Sequence, residues 1–369
     1  MQRRLTLFTA LALLAAPLLL AAPQDTPPTE PQAEFEEEVR VDEVLLDVLV
    51  TDRDGNVIVG LGPGDFVVRE DGEPVAVDSA TFYSSSRLAQ PAAELAAEGA
   101  RIDPVPEDRY FILFFDDVQR YEGPQVNLVQ QQIRAGRDAR RWVAEQLAPA
   151  DWVAVVGYDR SLQVFTDFTR DRDKLLASIE RAASGRSGNA AWPSRRDATD
   201  GEPSLLDDLP QGKALSKATP RIYSAFEEIA EAVSDIRGRK NLIYLGIGFG
   251  RVDDFGQYRR DERYYPSMVR ALNDANVAVY PIDVTPQNVS HTMEDALTDL
   301  STETGGRYYP FHVSFTTPLE QIAEENGGYY LLSYRTDRPA GEEGFQRVTV
   351  ETKNPTFQVR ARRGYAYGS

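Results

Sequence analysis

Arg109–Asp117 reads RYFILFFDD. Phe111–Phe115 is a continuous apolar run with no polar alternation, the pattern of a central parallel strand covered on both faces. Further apolar runs follow at Trp152–Tyr158, at Leu162–Phe165 after a turn at Asp159-Arg160-Ser161, at Leu242–Ile247 and at Val277–Ile282, with a short one at Arg307–Pro310. Stretches with helical spacing separate them: Pro124–Leu147, Arg170–Ala183, Pro220–Ile236, Tyr265–Asn273, Met293–Thr304 and Pro318–Glu325. This alternation predicts an α/β domain over 109–325, with a doubly wound, mostly parallel sheet.

The flanks have a different period. Val44, Leu46, Val48 and Val50 fall on one face of a strand with period two, and short strands follow at Phe66–Arg69 and Val75–Tyr83 around Asp71-Gly72. At the other end Tyr330, Leu332 and Tyr334 alternate, as do Val348 and Val350, and Phe357, Val359 and Ala361. Such strands have one wet face and one face to bury. Residues 39–88 supply about half the strands of a sandwich, and 326–369 supply the rest. The two sets are therefore expected to pack together as a β-sandwich into which the α/β domain is inserted, with 89–108 as linker.

Upstream, Met1–Arg4 is basic, Leu5–Ala22 is almost wholly apolar, and small residues close the run. Residues 1–23 read as a secretory signal peptide, which places the mature chain outside the cytoplasm, secreted or periplasmic. A membrane anchor is the alternative; Pro17 interrupts the run, and about 18 apolar residues is marginal for a span. Residues 24–38 (QDTPPTEPQAEFEEE) are acidic and Pro-rich and read as a disordered spacer.

Composition excludes several functions. Forty Lys and Arg against 58 Asp and Glu give a net charge of −18, which opposes nucleic-acid binding. The absence of cysteine excludes disulfides, thiol nucleophiles and thiolate zinc sites. Two histidines, His291 and His312, leave no His-rich metal site. Gly246-Ile247-Gly248-Phe249-Gly250 follows a strand but lacks dinucleotide-binding spacing and reads as a tight turn.

In an open parallel sheet, ligands gather at the carboxyl ends of the strands. Asp116 and Asp117 end the first strand there, Asp283 ends the last, and Asp253 and Asp254 follow Leu242–Ile247. Thr219-Pro220 resembles an N-cap with Pro at the first helical position, facing the same edge. Asp116, Asp117 and Thr219 form a candidate oxygen site for Mg²⁺ or Ca²⁺. Arg120 opposes it, because its guanidinium can pair with either aspartate in place of a cation. Trp192 stands alone in the polar tract Ser184–Ala218 and is a candidate contact anchor. The partner-binding candidates are thus Arg120, Trp192, Asp253, Asp254 and Asp283.

The middle region resembles a von Willebrand factor type A domain, through the strand ending in Asp116, the hairpin Trp152–Phe165, Arg239-Lys240-Asn241 before a buried strand, and Asn276–Asp283 (NVAVYPID). Gly60-Leu61, Asp65-Phe66, Glu70-Asp71-Gly72, Thr304-Gly305-Gly306, Tyr329–Tyr334 and Val359–Tyr365 are similar to the secreted bacterial von Willebrand factor A-related proteins. That resemblance implies a metal-ion-dependent adhesion site of the form Asp-x-Ser-x-Ser with a later Thr and Asp. Asp116 matches the first ligand and Thr219 the threonine. Val118 and Arg120 replace the serines, and Gly246 and Gly248 occupy the region of the last aspartate. The implied site is degraded, and weak or absent Mg²⁺ or Ca²⁺ binding is expected. The chain is expected to be a non-enzymatic protein-binding or adhesion module. The alternatives are a metal-dependent hydrolase using Asp116, Asp117 and Asp283, and a structural or assembly factor of the cell envelope.

Overall fold

The computed structural model describes residues 39–84, 108–118, 126–185, 202–286, 291–310, 314–339 and 343–367. The expected leader and spacer, most of the linker, Arg120, Trp192 and His312 lie outside them.

A mixed α/β body is built on a five-stranded, mostly parallel sheet. Its strands are β5 (Arg109–Asp116), β6 (Asp151–Tyr158), β7 (Leu162–Thr169), β8 (Lys240–Gly246) and β11 (Val277–Asp283), in the order β11-β8-β5-β6-β7. β7 alone runs antiparallel, paired with β6. Helices cover both faces. On one, Phe111, Leu113 and Phe115 pack against α1 (Val126–Glu145), α2 (Arg172–Ala183) and α7 (Thr316–Glu325). On the other, Ile112, Phe114, Leu242 and Tyr244 meet α3 (Lys213–Ala218), α4 (Ile222–Ala232), α5 (Tyr265–Asp274) and α6 (Glu294–Thr304). Burial on both faces is why these strands read as unbroken apolar runs.

Two four-stranded antiparallel sheets hold the remaining strands. One runs β14-β1-β12-β4: Gln358–Arg360, Val39–Thr51, Gly328–Pro339 and Ser79–Ser84. The other runs β15-β13-β2-β3: Gly364–Tyr367, Gly344–Thr352, Phe66–Glu70 and Glu73–Val75. Both contribute to one core that includes Leu46, Val48, Phe66, Tyr330, Leu332 and Val348. Glu70 is buried among them and accepts from the hydroxyls of Tyr334 (2.8 Å), Thr336 (3.1 Å) and Tyr365.

Several elements differ from the sequence reading. The predicted strand Val75–Tyr83 is two strands, because the chain crosses between the sheets at 76–78: β3 pairs with β2 and β4 with β12. The terminal tract divides likewise, β14 to the first sheet and β15 to the second. Arg307–Pro310 contributes a single bridge, Tyr309 to Ile282. The described part of the tract read as a polar loop is packed: Leu205, Leu206, Leu209 and Leu215 are core residues, and Asp167 accepts from Ser204 Oγ and the Leu205 amide, each at 2.7 Å.

A polar seam joins the outer sheets to the α/β body. Arg362 donates to the carbonyls of Asn273 and Leu45, each at 2.9 Å. Glu325 pairs with Arg307 (2.5 Å) and Arg360 (3.0 Å). Asn276 donates to the buried Asp47. Lys240 is buried nearby, its Nζ donating to the Ile236 carbonyl at 2.7 Å. Burial lowers the Lys240 amine from 10.5 to about 8, against the opposing pull of Asp47. The folded chain therefore releases this proton first, and between about pH 8 and 10.5 the unfolded chain binds more protons. Stability should rise with pH across that window, by up to about 3 kcal/mol. Urea melts at pH 7, 8 and about 9.5, below the tyrosine range, should show the rise. Lys240→Met should flatten it and stabilise the protein at pH 7; an unchanged slope in Lys240→Met would assign it to another group.

Candidate functional site

The carboxyl ends of the strands bring Asp116 and Asp283 into one row. Asp283 pairs with Gly246 across β11 and β8, and Phe115 pairs with Leu245 across β5 and β8, so Gly246 separates the two acids. Two interstrand spacings put them ~10 Å apart along the sheet. Both acids are fully buried.

Each is held by the chain itself. Tyr244 donates its hydroxyl to Asp116 Oδ2 at 2.5 Å. Asp283 Oδ1 accepts the Thr285 amide at 2.8 Å, while Oδ2 meets His291 Nε2 at 2.9 Å and the Tyr308 hydroxyl at 3.2 Å. The Met293 amide donates to His291 Nδ1 at 3.3 Å. Nδ1 is then the acceptor nitrogen and Nε2 carries the hydrogen toward Asp283, a tautomer assigned from these partners. Burial first, and then the Asp283 charge, pushes the Tyr308 phenol well above its ordinary range, so it stays a donor. His291 is thus a positioning partner of Asp283.

Thr219 does not begin the helix that follows it. Lys213–Ala218 (KALSKA), made mostly of good helix formers, is a separate helix that Thr219 terminates, and Arg221 is the N-cap of α4. The Thr219 hydroxyl donates to the Leu215 carbonyl (2.8 Å) and accepts from the Leu162 amide (2.9 Å). Val118 is a core residue whose amide donates to the buried Gln132 side chain at 2.8 Å. The Asp117 amide continues the ladder to the Tyr158 carbonyl at 3.0 Å.

These residues do not fit a divalent ion. Asp116 meets a phenol, the Thr219 hydroxyl is committed in both directions, and Val118 offers no oxygen to the edge. Among the described residues no group of three or more acidic or histidine side chains is placed to hold a metal.

Asp253 and Asp254 sit in a hairpin that the sequence reading missed. β9 (Arg251–Val252) and β10 (Tyr258–Arg259) connect the carboxyl end of β8 to α5. Asp253 closes the turn, accepting from the amides of Gln257 (2.9 Å) and Phe255 (3.0 Å) and from Arg259 Nε (2.9 Å). Those bonds, the Gln257 amide first, lower its carboxyl below the usual range. Asp254 is exposed. At the tip Phe255 is 88% exposed, and Val252 is 51% exposed. A cleft of roughly 390 Å³ lies at the opposite end of the sheet, against Asp54, Arg109 and Glu324, away from these aspartates.

No family model matches the sequence, and no curated protein matches it. Solved structures similar to it include a conserved hypothetical protein, BatB, from Bacteroides thetaiotaomicron (TM-score 0.37, 12% identity, 59% of this chain and 97% of that one). Proximal thread matrix protein 1 from the mussel byssus, in a form with a zinc-occupied MIDAS motif, gives a TM-score of 0.36 at 10% identity over 59% of this chain and 48% of that one. The PilB minor pilin from Streptococcus sanguinis gives 0.31 at 12% identity over 62% and 64%. TM-scores of this size establish neither a shared fold nor a shared activity. Among the described residues, no helix is long and apolar enough to cross a membrane.

Proposed function

We propose that this chain is a non-enzymatic protein-binding module of the von Willebrand factor A type, carried on a β-sandwich built from 39–88 and 326–369 and exported behind a cleaved leader. It meets its partner at the carboxyl strand edge without a resident cation. The observation that carries this reading is a pairing of opposites at one edge. Asp116 and Asp283 are buried and held by internal donors, while Phe255 and Val252 stand exposed on a hairpin tied down by Asp253. An exposed aromatic is the kind of group that supplies an interface anchor.

The test is capture from native envelope extract, with and without chelator. The wild type should retain one partner equally in both conditions, and Phe255→Asp should retain at least tenfold less while melting like the wild type. Mass spectrometry of the exported protein should show that residues 1–22 are absent. A hydrolase would show itself in turnover assays run alongside: activity on any substrate that Asp116→Asn abolishes would replace this reading.

A further inference from the structure

Asp116 ends β5 fully buried, and one group that meets it is the phenol of Tyr244. At 2.5 Å the contact is at the short end for a hydroxyl on a carboxylate. Tyr244 and Gly246 lie two apart in β8, so their Cβ positions share one face of the sheet. A Cβ built on Gly246 would stand 2.5 Å from both Cζ and the hydroxyl oxygen of Tyr244. The phenol ring and any side chain at 246 therefore compete for one volume. Neighbouring rings hold the phenol in place: Phe114, Phe226 and Phe249 lie at centroid distances of 5.7, 5.9 and 6.0 Å. β8 is buried along its whole length, which leaves the ring no route outward.

We infer that Tyr244 is this chain's built-in replacement for a cation at Asp116, and that Gly246 is the residue that makes room for it. The missing aspartate in this region and the tyrosine two residues earlier are one exchange: a tethered hydroxyl for a diffusible ion. The edge is then set when the chain folds, and it does not respond to divalent cations or chelators. The inference rests on the A-type reading only for where a cation would lie. Its test uses metal alone, so a failed partner capture leaves it intact.

The experiment compares wild type, Tyr244→Phe and the double variant Tyr244→Leu with Gly246→Asp. Each is melted in millimolar Mg²⁺ or Mn²⁺ and again with chelator, and Mn²⁺ binding is followed by calorimetry. Wild type should show no chelator-sensitive shift. Tyr244→Phe should melt lower but stay insensitive, because its ring still fills the space. The double variant clears that space and sets carboxylates on neighbouring strands, so it should gain a chelator-reversible rise of several degrees. A purely structural tyrosine would lower the melting temperature without conferring that response. If the double variant fails to fold by circular dichroism, Tyr244→Ala with Gly246→Asp, which clears the same space with a smaller side chain, decides by the same readout. A chelator-reversible rise in the wild type would overturn the inference. So would a folded double variant that ignores both metals.

Discussion

Gly306→Ala should cost about 3–5 kcal/mol of stability, at the upper end for a single added methyl. A Cβ at 306 would lie 1.8 Å from the Val279 carbonyl oxygen and 2.6 Å from its carbon. Both are backbone atoms of β11, so no rotamer change relieves the contact. Neither side is free to retreat. Val279 is fixed in the parallel ladder to β8, and its amide donates to Thr304 Oγ1 at 3.0 Å. The Gly306 amide is tied to the Ser301 carbonyl at 2.8 Å. Gly64→Ala is the control, because nothing lies within 4 Å of a Cβ there; it should change stability by less than about 0.5 kcal/mol. Urea unfolding followed by circular dichroism would compare them, and equal midpoints would show that the close approach at 306 relaxes freely.

Glu70→Ala should cost a similar amount, about 3–5 kcal/mol, through a different route. It removes the acceptor shared by Tyr334, Tyr365 and Thr336 and leaves the two phenols in the core of the outer sheets. Burial first, then the hydrogen bonds to Tyr365 and Glu70, pushes the Tyr334 phenol far above its ordinary range, so ionisation gives it no escape. Glu70→Gln keeps an acceptor oxygen and should lose less. The effect is also topological, because Glu70 comes from the N-terminal strands and its donors from the C-terminal ones. With a protease site placed in 89–108 and cut, the two fragments should co-elute without denaturant in the wild type and separate in Glu70→Ala. Separation in the wild type would refute the shared core.

Periodicity made the sheets readable because burial on one face or two imposes distinct patterns. Phe111–Phe115 and Val277–Ile282 show two covered faces and Arg347–Glu351 shows one; Val44–Val50 reads as one-faced, but Asp47 and Leu49 are buried too, because that face meets the α/β body. The packed tract after 202 was not readable, because Leu205, Leu206, Leu209 and Leu215 follow no period and their placement depends on the distant Asp167. The β9–β10 hairpin escaped because strands of two residues carry no alternation. At the site, the strand-end aspartates were visible as positions, but their partners were not. Tyr244 in an apolar run reads as core, which it is, and only contact geometry shows its hydroxyl on Asp116. Gly246 in the same strand was the available signal. A glycine inside a buried strand often marks close approach of another group, here a ring from its own strand.

The pairing of Val39 with Pro339 has a consequence for biogenesis. β1 leaves the ribosome early, yet its partner β12 emerges only after the whole α/β body has been made. Contacts this distant in sequence form slowly. Until then β1 offers two open edges of mostly buried-type residues, a template for pairing with other chains. A product truncated before residue 328 would keep those edges permanently, so it should be far more prone to aggregate than its own composition suggests.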